Sequence, residues 1–325
     1  MTKKIGILVG RENTWPGAFI EEVNRRNEGV IAEFVKLGGT RMAEQCEYDV
    51  IVDRISHEIP YYRTFLKTAM MSGTIVINNP FWWSADEKFT GASIATYLGV
   101  PHPRTVALPS HSYIEGIVHP DSLRNLKERI PWEEHVEYVG GFPVILKPHS
   151  GGGFKKVYKL ETMEQLWSAY NETGTECMML QEYIAWDKYV RCLCIGQEQI
   201  MPIKFDINAP FPHRYFDEPG YLTPQEHDQV VEYALKLCRA LGYDMNTCEF
   251  AIKDGVPYAI DFTNPAPDMD YWSLKEKFFT WVVKAMADLC IAKAKSGRSQ
   301  LDEIHWSRLI NPQRADATQP IAASS

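Results

Sequence analysis
Several features that would place a protein at once are missing from this 325-residue sequence. It has no run of 18 apolar residues, whereas a membrane-spanning helix needs about 20. Positive charge is outnumbered, with 34 Lys and Arg against 42 Asp and Glu and a net charge of −8. Phosphate backbones and anionic bilayers select a basic face, so neither nucleic acid nor a membrane is an expected partner. The seven cysteines are scattered, odd in number and without a Cys-x-x-Cys pair. That argues against a disulfide framework and for a reducing, cytoplasmic setting. Cys192 and Cys194 share one face of an expected strand and read as small core residues. Met-Thr-Lys-Lys runs directly into a strand-like segment, so no secretory leader is expected. There is no Walker loop, and Gly6 and Gly10 do not make a dinucleotide fingerprint.

What is present centres on residues 142–156, Phe-Pro-Val-Ile-Leu-Lys-Pro-His-Ser-Gly-Gly-Gly-Phe-Lys-Lys. An apolar β-type run delivers Lys147 and is stopped by Pro148. Gly151, Gly152 and Gly153 follow, with Lys155 and Lys156 behind them. Glycines let backbone N–H groups approach an anion, and lysines add point charges. The stretch fits a phosphate flap, and it equally fits a hairpin turn with a basic rim.

Around it the chain reads as α/β at the start and α+β in its second half. Strands at 3–10, 30–37, 48–54 and 74–78 alternate with helices at 16–27 and 61–71, predicting a small Rossmann-like domain over 1–83. Ligands gather at the carboxyl ends of such strands, which makes Arg11, Arg54 and His57 candidates for holding a substrate carboxylate. Ser84-Ala-Asp-Glu87 is a capping box that opens a helix to Leu98, with Lys88 in its first turn. Residues 109–140 read as loop-rich, anchored by Trp132. Helices are predicted over 162–170, 223–241 and 275–294. Strands are predicted over 177–184, 188–195, 199–206, 248–253 and 256–261, the last two joined by an Asp254-Gly255 turn. Residues 84–185 and 186–295 form two further expected units, with 296–325 a flexible tail. Residues 208–221, with His213 and Arg214, read either as a substrate-gating loop or as ordinary surface.

The order of the pieces carries the chemistry. Lysines on two elements, Lys88 and Lys147, can hold phosphates from both sides. The strand edge from Glu182 to Ile184 can offer backbone groups to an adenine. The tight hairpin brings Glu249 and Asp261 onto neighbouring strands, where with Asn264 they supply hard oxygens suited to Mg2+. Both acids are embedded in apolar runs, and a buried carboxylate without a cation is costly.

Over roughly residues 1–292 this ordered set resembles the ATP-grasp superfamily, in its carboxylate–amine ligase branch, which includes RimK-like and glutathione synthetase-like ligases. The resemblance rests on the Lys88 helix, Phe142-Pro-Val-Ile-Leu-Lys-Pro148, Gly151 to Lys156, Leu180-Gln-Glu-Tyr-Ile184 and Asp261 with Asn264-Pro-Ala-Pro. It implies a small α/β domain followed by two subdomains that grip ATP. It also implies Mg2+, with a second ion and Mn2+ in its place both allowed for. Lys88, Lys147, the glycine loop and Lys155 would hold phosphates. Glu182 and Ile184 would lie near adenine, and Asp187 at the ribose. Glu249, Asp261 and Asn264 would bind metal, and Arg191, with Lys204 and Lys156, would face the transferred group. Asp261-Phe-Thr-Asn264 is one residue longer than the family's usual spacing, which leaves Thr263 as an alternative ligand. The spacing from Asp187 to Arg191 is also longer. The implied reaction joins a small carboxylate to an amine through an acylphosphate, in an enzyme that is often a dimer. A small-molecule kinase and a non-catalytic ATP-binding module are the competing readings.

Overall fold
Four short apolar runs near the start pair in parallel, and helices make two of the crossovers. Lys3–Leu8 (β1), Val30–Phe34 (β2), Val50–Asp53 (β3) and Ile75–Ile77 (β4) lie in the order β2-β1-β3-β4. Trp15–Arg26 (α1) and Pro60–Met71 (α2) both carry proline in the first turn, where the missing N–H costs nothing. Side chains alternate across a strand, so Ile5, Ile7, Val50 and Val52 meet α1 while Leu8 and Ile51 meet α2. In this computed structural model the described residues are 2–81, 88–127, 129–151, 155–297 and 300. The Ser84–Glu87 capping box, Gly152, Gly153 and residues 301–325 of the expected tail lie outside them.

Lys88–Tyr97 (α3) leads into a second, antiparallel sheet. It consists of Thr105–Leu108 (β5), Val144–Pro148 (β6), Tyr158–Leu160 (β7) and Met178–Glu182 (β8), in the order β5-β8-β6-β7. Trp132–Tyr138 (α4) and Met163–Asn171 (α5) cover it, and the Trp132 ring meets Tyr170 edge-on at 4.9 Å. The segment expected to be loop-rich therefore holds a helix as well as its aromatic anchor.

The third sheet has five strands in the order β11-β10-β9-β12-β13. They are Lys188–Ile195 (β9), Gln199–Phe205 (β10), Tyr215–Phe216 (β11), Met245–Lys253 (β12) and Val256–Asp261 (β13). Asp254 and Gly255 both have positive φ, 52° and 75°, as a two-residue hairpin turn between β12 and β13 requires. Pro224–Leu241 (α6) begins at a reciprocal Thr223–Glu226 capping box and ends at Gly242 in the left-handed region. It packs on Cys192, Cys194, Cys248 and Phe250. The other face meets Tyr271–Ser296 (α7), which also packs on α1 and β1 and so links the first and third sheets. The chain kinks at Lys275 (φ 60°), where the sequence places the start of the helix. Among the described residues no helix is long and apolar enough to cross a membrane.

Candidate active site
Strand register alone assembles the charged row of the third sheet. Residues directly opposite in an antiparallel pair point to the same face. Arg191 on β9 faces Glu249 on β12, and Glu249 faces Asp261 on β13. The second pairing depends on a bulge. Phe250 pairs with Ala259 but Glu249 pairs with Asp261, so Ile260 is an extra residue. Were the same residues paired regularly, Asp261 would lie opposite Cys248 and face the α6 side.

The row is tightly bonded. Arg191 Nη1 lies 3.4 Å from Glu249 Oε1, and Arg191 Nη2 donates to Thr247 Oγ1 at 3.1 Å. The Tyr189 hydroxyl donates to Glu249 Oε2 at 2.6 Å. Lys88 Nζ sits 3.3 Å from Asp261 Oδ2, and the Lys88 N–H donates to the His149 carbonyl just beyond β6, tying α3 to the second sheet. Lys147, on β6, is 8% exposed.

These surroundings set the protonation states. Burial, helped by the Lys88 charge, lowers the Lys147 pKa to about 8 against the pull of Asp261 and Glu249. Burial pushes the Glu249 carboxyl up, with Asp261 adding to the effect and Arg191 opposing it. Burial works the same way on Asp261, but Lys88, Lys147 and Arg191 outweigh it and hold that carboxyl below its usual range. Two carboxylates side by side thus lean in opposite directions, the one nearer the lysines being the more readily ionised.

The other expected residues divide. Thr263 is buried, and the Asn264 N–H donates to Asn246 Oδ1 at 2.8 Å, fixing the loop that follows Asp261. Glu182 is held by Arg104 at 3.1 Å, and Ile184 is buried just beyond the end of that strand. Asp187 is turned to the hairpin, where it accepts from the Asp254 N–H at 3.0 Å. Lys156 pairs with Glu176, and Lys155 and Gly151 are both exposed.

Two residues need correction. Lys204, expected at the transferred group, lies opposite Val190, so its side chain leaves the face that carries Arg191. It reaches Glu218 at 2.5 Å over the Tyr221 ring instead. Arg54, expected to hold substrate, is consumed inside the protein. Its guanidinium pairs with Glu12, donates to the Pro267 carbonyl and stacks on Trp15. Arg11 pairs with Glu58, and Arg214 Nε donates to the Ala209 carbonyl within its own loop. His57 lines a small open cleft with Ser56, Arg63, Asn78, Pro265 and Ala266. Tyr189, Thr247 and Asn246 were not anticipated. Their signal was the two-residue step from Arg191 and Glu249, and the strand carrying Asn246 begins earlier than its apolar run suggested.

No protein-family model matches the chain. It is 29% identical over 175 residues to a D-alanine–D-alanine ligase of Bacillus anthracis, an alignment of 50% of this chain and 56% of the relative. The chain thus spans about half the length of the curated relatives it matches. A solved D-alanine–D-alanine ligase from Bacillus anthracis, complexed with ATP, superposes with a TM-score of 0.59 at 18% identity, covering 91% of this chain and 100% of that one. The ATP-grasp ligase PsnB, solved with minimal precursor, Mg and ADP, gives 0.58 at 14% identity over 91% of this chain and 99% of that one. The three-sheet architecture, superposed over nine-tenths of the chain, is the ATP-grasp fold.

Proposed function
We propose that the chain is an ATP- and Mg2+-dependent carboxylate–amine ligase. The observation that carries this reading is the Arg191–Glu249–Asp261 row with Lys88 at its edge. In the reaction a substrate carboxylate oxygen attacks the γ-phosphorus of ATP and ADP leaves. The amine then attacks the acyl carbon, phosphate leaves, and the amine gives up a proton. Lys88 and Lys147 bind phosphate oxygens, and Arg191 offsets the negative charge that develops in transfer. Glu249, Asp261 and Asn264, or Thr263, would hold Mg2+ through the hard oxygens it prefers, and the ion would supply neutralisation of phosphate charge. Tyr189 and Thr247 hold Glu249 and Arg191 in place from behind.

The ATP and Mg–ADP in the similar structures support this nucleotide and ion. A second ion, Mn2+ as a substitute and a homodimer extend the proposal. So does a division at 1–83, 84–185 and 186–295, which is supported by the three separate sheets. The cleft beside His57 is the proposed substrate entrance, because Pro265 and Ala266 belong to the loop that continues from Asp261.

The test is incubation with Mg–ATP and paired carboxylates and amines, read by mass spectrometry. D-Alanine and peptides lead the panel because one similar protein is named for the first and another was solved bound to a precursor peptide. A condensed product with release of ADP and phosphate is expected. A phosphorylated product that needs no amine would make the chain a kinase, and nucleotide binding without ADP release would make it a binding module.

A further inference from the structure
The face of the third sheet that carries the charged row continues two strands further. Arg191 pairs with Ile203 on β10, so Phe205, two residues on, shares that face, and Tyr215 on β11 pairs with Phe205. The Arg191 guanidinium lies over the Phe205 ring at 5.2 Å, and the Tyr215 ring meets Phe205 edge-on at 5.0 Å.

Two donors in this corner have no partner. Arg191 spends Nη1 on Glu249 and Nη2 on Thr247, yet its buried Nε has no hydrogen bond. The Tyr215 hydroxyl is buried and unbonded too, in a residue only 8% exposed. Buried polar groups are normally satisfied, and two exceptions on one face, both set against the Phe205 ring, point to a ligand that satisfies both. The ligand must accept from a cation and a phenol. Burial raises the Tyr215 pKa against the Arg191 charge, so the hydroxyl keeps its proton and has it to donate.

We propose that Arg191 Nε and the Tyr215 hydroxyl form a two-point receptor for an oxyanion of the reaction, either the substrate carboxylate or the transferred phosphoryl group. This rests on the ligase reading and adds Tyr215 as a substrate-binding residue. Phe205 and Tyr189 form the apolar wall beside it, their rings 6.3 Å apart. Exclusion of water strengthens both hydrogen bonds.

The experiment compares the full-length chain with Tyr215→Phe, which removes the hydroxyl and keeps the ring. Inorganic phosphate and acetate are titrated separately, with and without saturating Mg–ADP, and binding is followed by phosphorus and proton NMR. The proposal expects at least one oxyanion to bind the wild type and to bind the variant about tenfold more weakly. Mg–ADP affinity should be unchanged. Selective loss of phosphate identifies the phosphoryl group, and selective loss of acetate the carboxylate. The melting temperature should hold or rise, because an unpaired buried hydroxyl is removed. A lower melting temperature would show that the hydroxyl has a protein partner such as Asp268, and would overturn the proposal. Equal oxyanion affinity in both proteins, or no oxyanion binding to the wild type, would also overturn it. Failure of Mg–ADP to bind refutes the ATP reading separately, and the nucleotide-free titrations then decide the receptor.

Discussion

The two faces of the third sheet are built from the same strands and do opposite work. On one, Tyr189, Arg191, Thr247 and Glu249 form a bonded polar row continued by Asp261. On the other, Val190, Cys192, Cys248 and Phe250 are buried in an apolar cluster against α6. Neighbouring residues in the sequence thus belong to chemistries that never meet. Three thiols, Cys194, Cys238 and Cys248, also lie within 4.8 Å of one another on the apolar side. Burial dominates the upward shift of the Cys192 and Cys194 pKa values, so these two behave as small hydrophobes. Asn246 joins the two sides. From the apolar face it donates to the Phe262 carbonyl and accepts from the Asn264 N–H, so it positions the loop of the candidate metal ligands.

Substitutions that respect or violate this division should separate by size. Asp261→Asn keeps the shape and removes the charge, so ATP consumption should fall about 100- to 1,000-fold while circular dichroism stays unchanged. Arg191→Ala strands the buried Glu249 carboxylate. Denaturant unfolding should show a loss of about 3–5 kcal/mol, with turnover lost as well. Raising pH from 7 to 9 removes the Lys147 proton through its pKa of about 8. ATP affinity measured by calorimetry should then drop about tenfold, as one proton's linkage allows. The sign reverses for folding. The unfolded lysine keeps its proton up to its ordinary value of 10.5, so this group adds stability to the nucleotide-free protein as pH rises between about 8 and 10.5. Cys248→Ala, on the apolar side, should cost about 1 kcal/mol of stability and leave ATP affinity unchanged. Lys204→Ala should change turnover least, since its side chain leaves the charged face. A large loss of activity in either of the last two would end the claim that the faces act separately.

The sequence announced the elements better than it announced their contacts. Alternating apolar runs and capping residues marked most helices and strands, including the Asp254-Gly255 hairpin. The short strands Thr105–Leu108, Tyr158–Leu160 and Tyr215–Phe216 escaped, because so few residues carry no period and their pairing is decided by distant partners. Tyr215 was lost with its strand inside a segment that read as loop. Arg54 looked available because Glu12 and Pro267, which occupy it, are 42 and 213 residues away in the chain. Lys204 looked catalytic because it lies on the strand after Arg191, and only the pairing with Val190 shows which way it points. The acids Glu249 and Asp261 were legible as a pair, but the bulge that aligns them was not.

That bulge makes the site sensitive to length as well as to composition. The count from the hairpin turn to Asp261 includes Ile260, which pairs with no residue of β12. Deleting Ile260 would remove the bulge and leave Asp261 opposite Glu249 in regular pairing, whereas regular pairing with Ile260 kept would turn the carboxylate to the cysteine side. Adding one residue between Ala259 and Asp261 would carry the carboxylate past Glu249 unless the bulge took up that residue as well. The bulge is thus a store of slack in this hairpin: the row can survive the loss of one residue before Asp261 more readily than the gain of one.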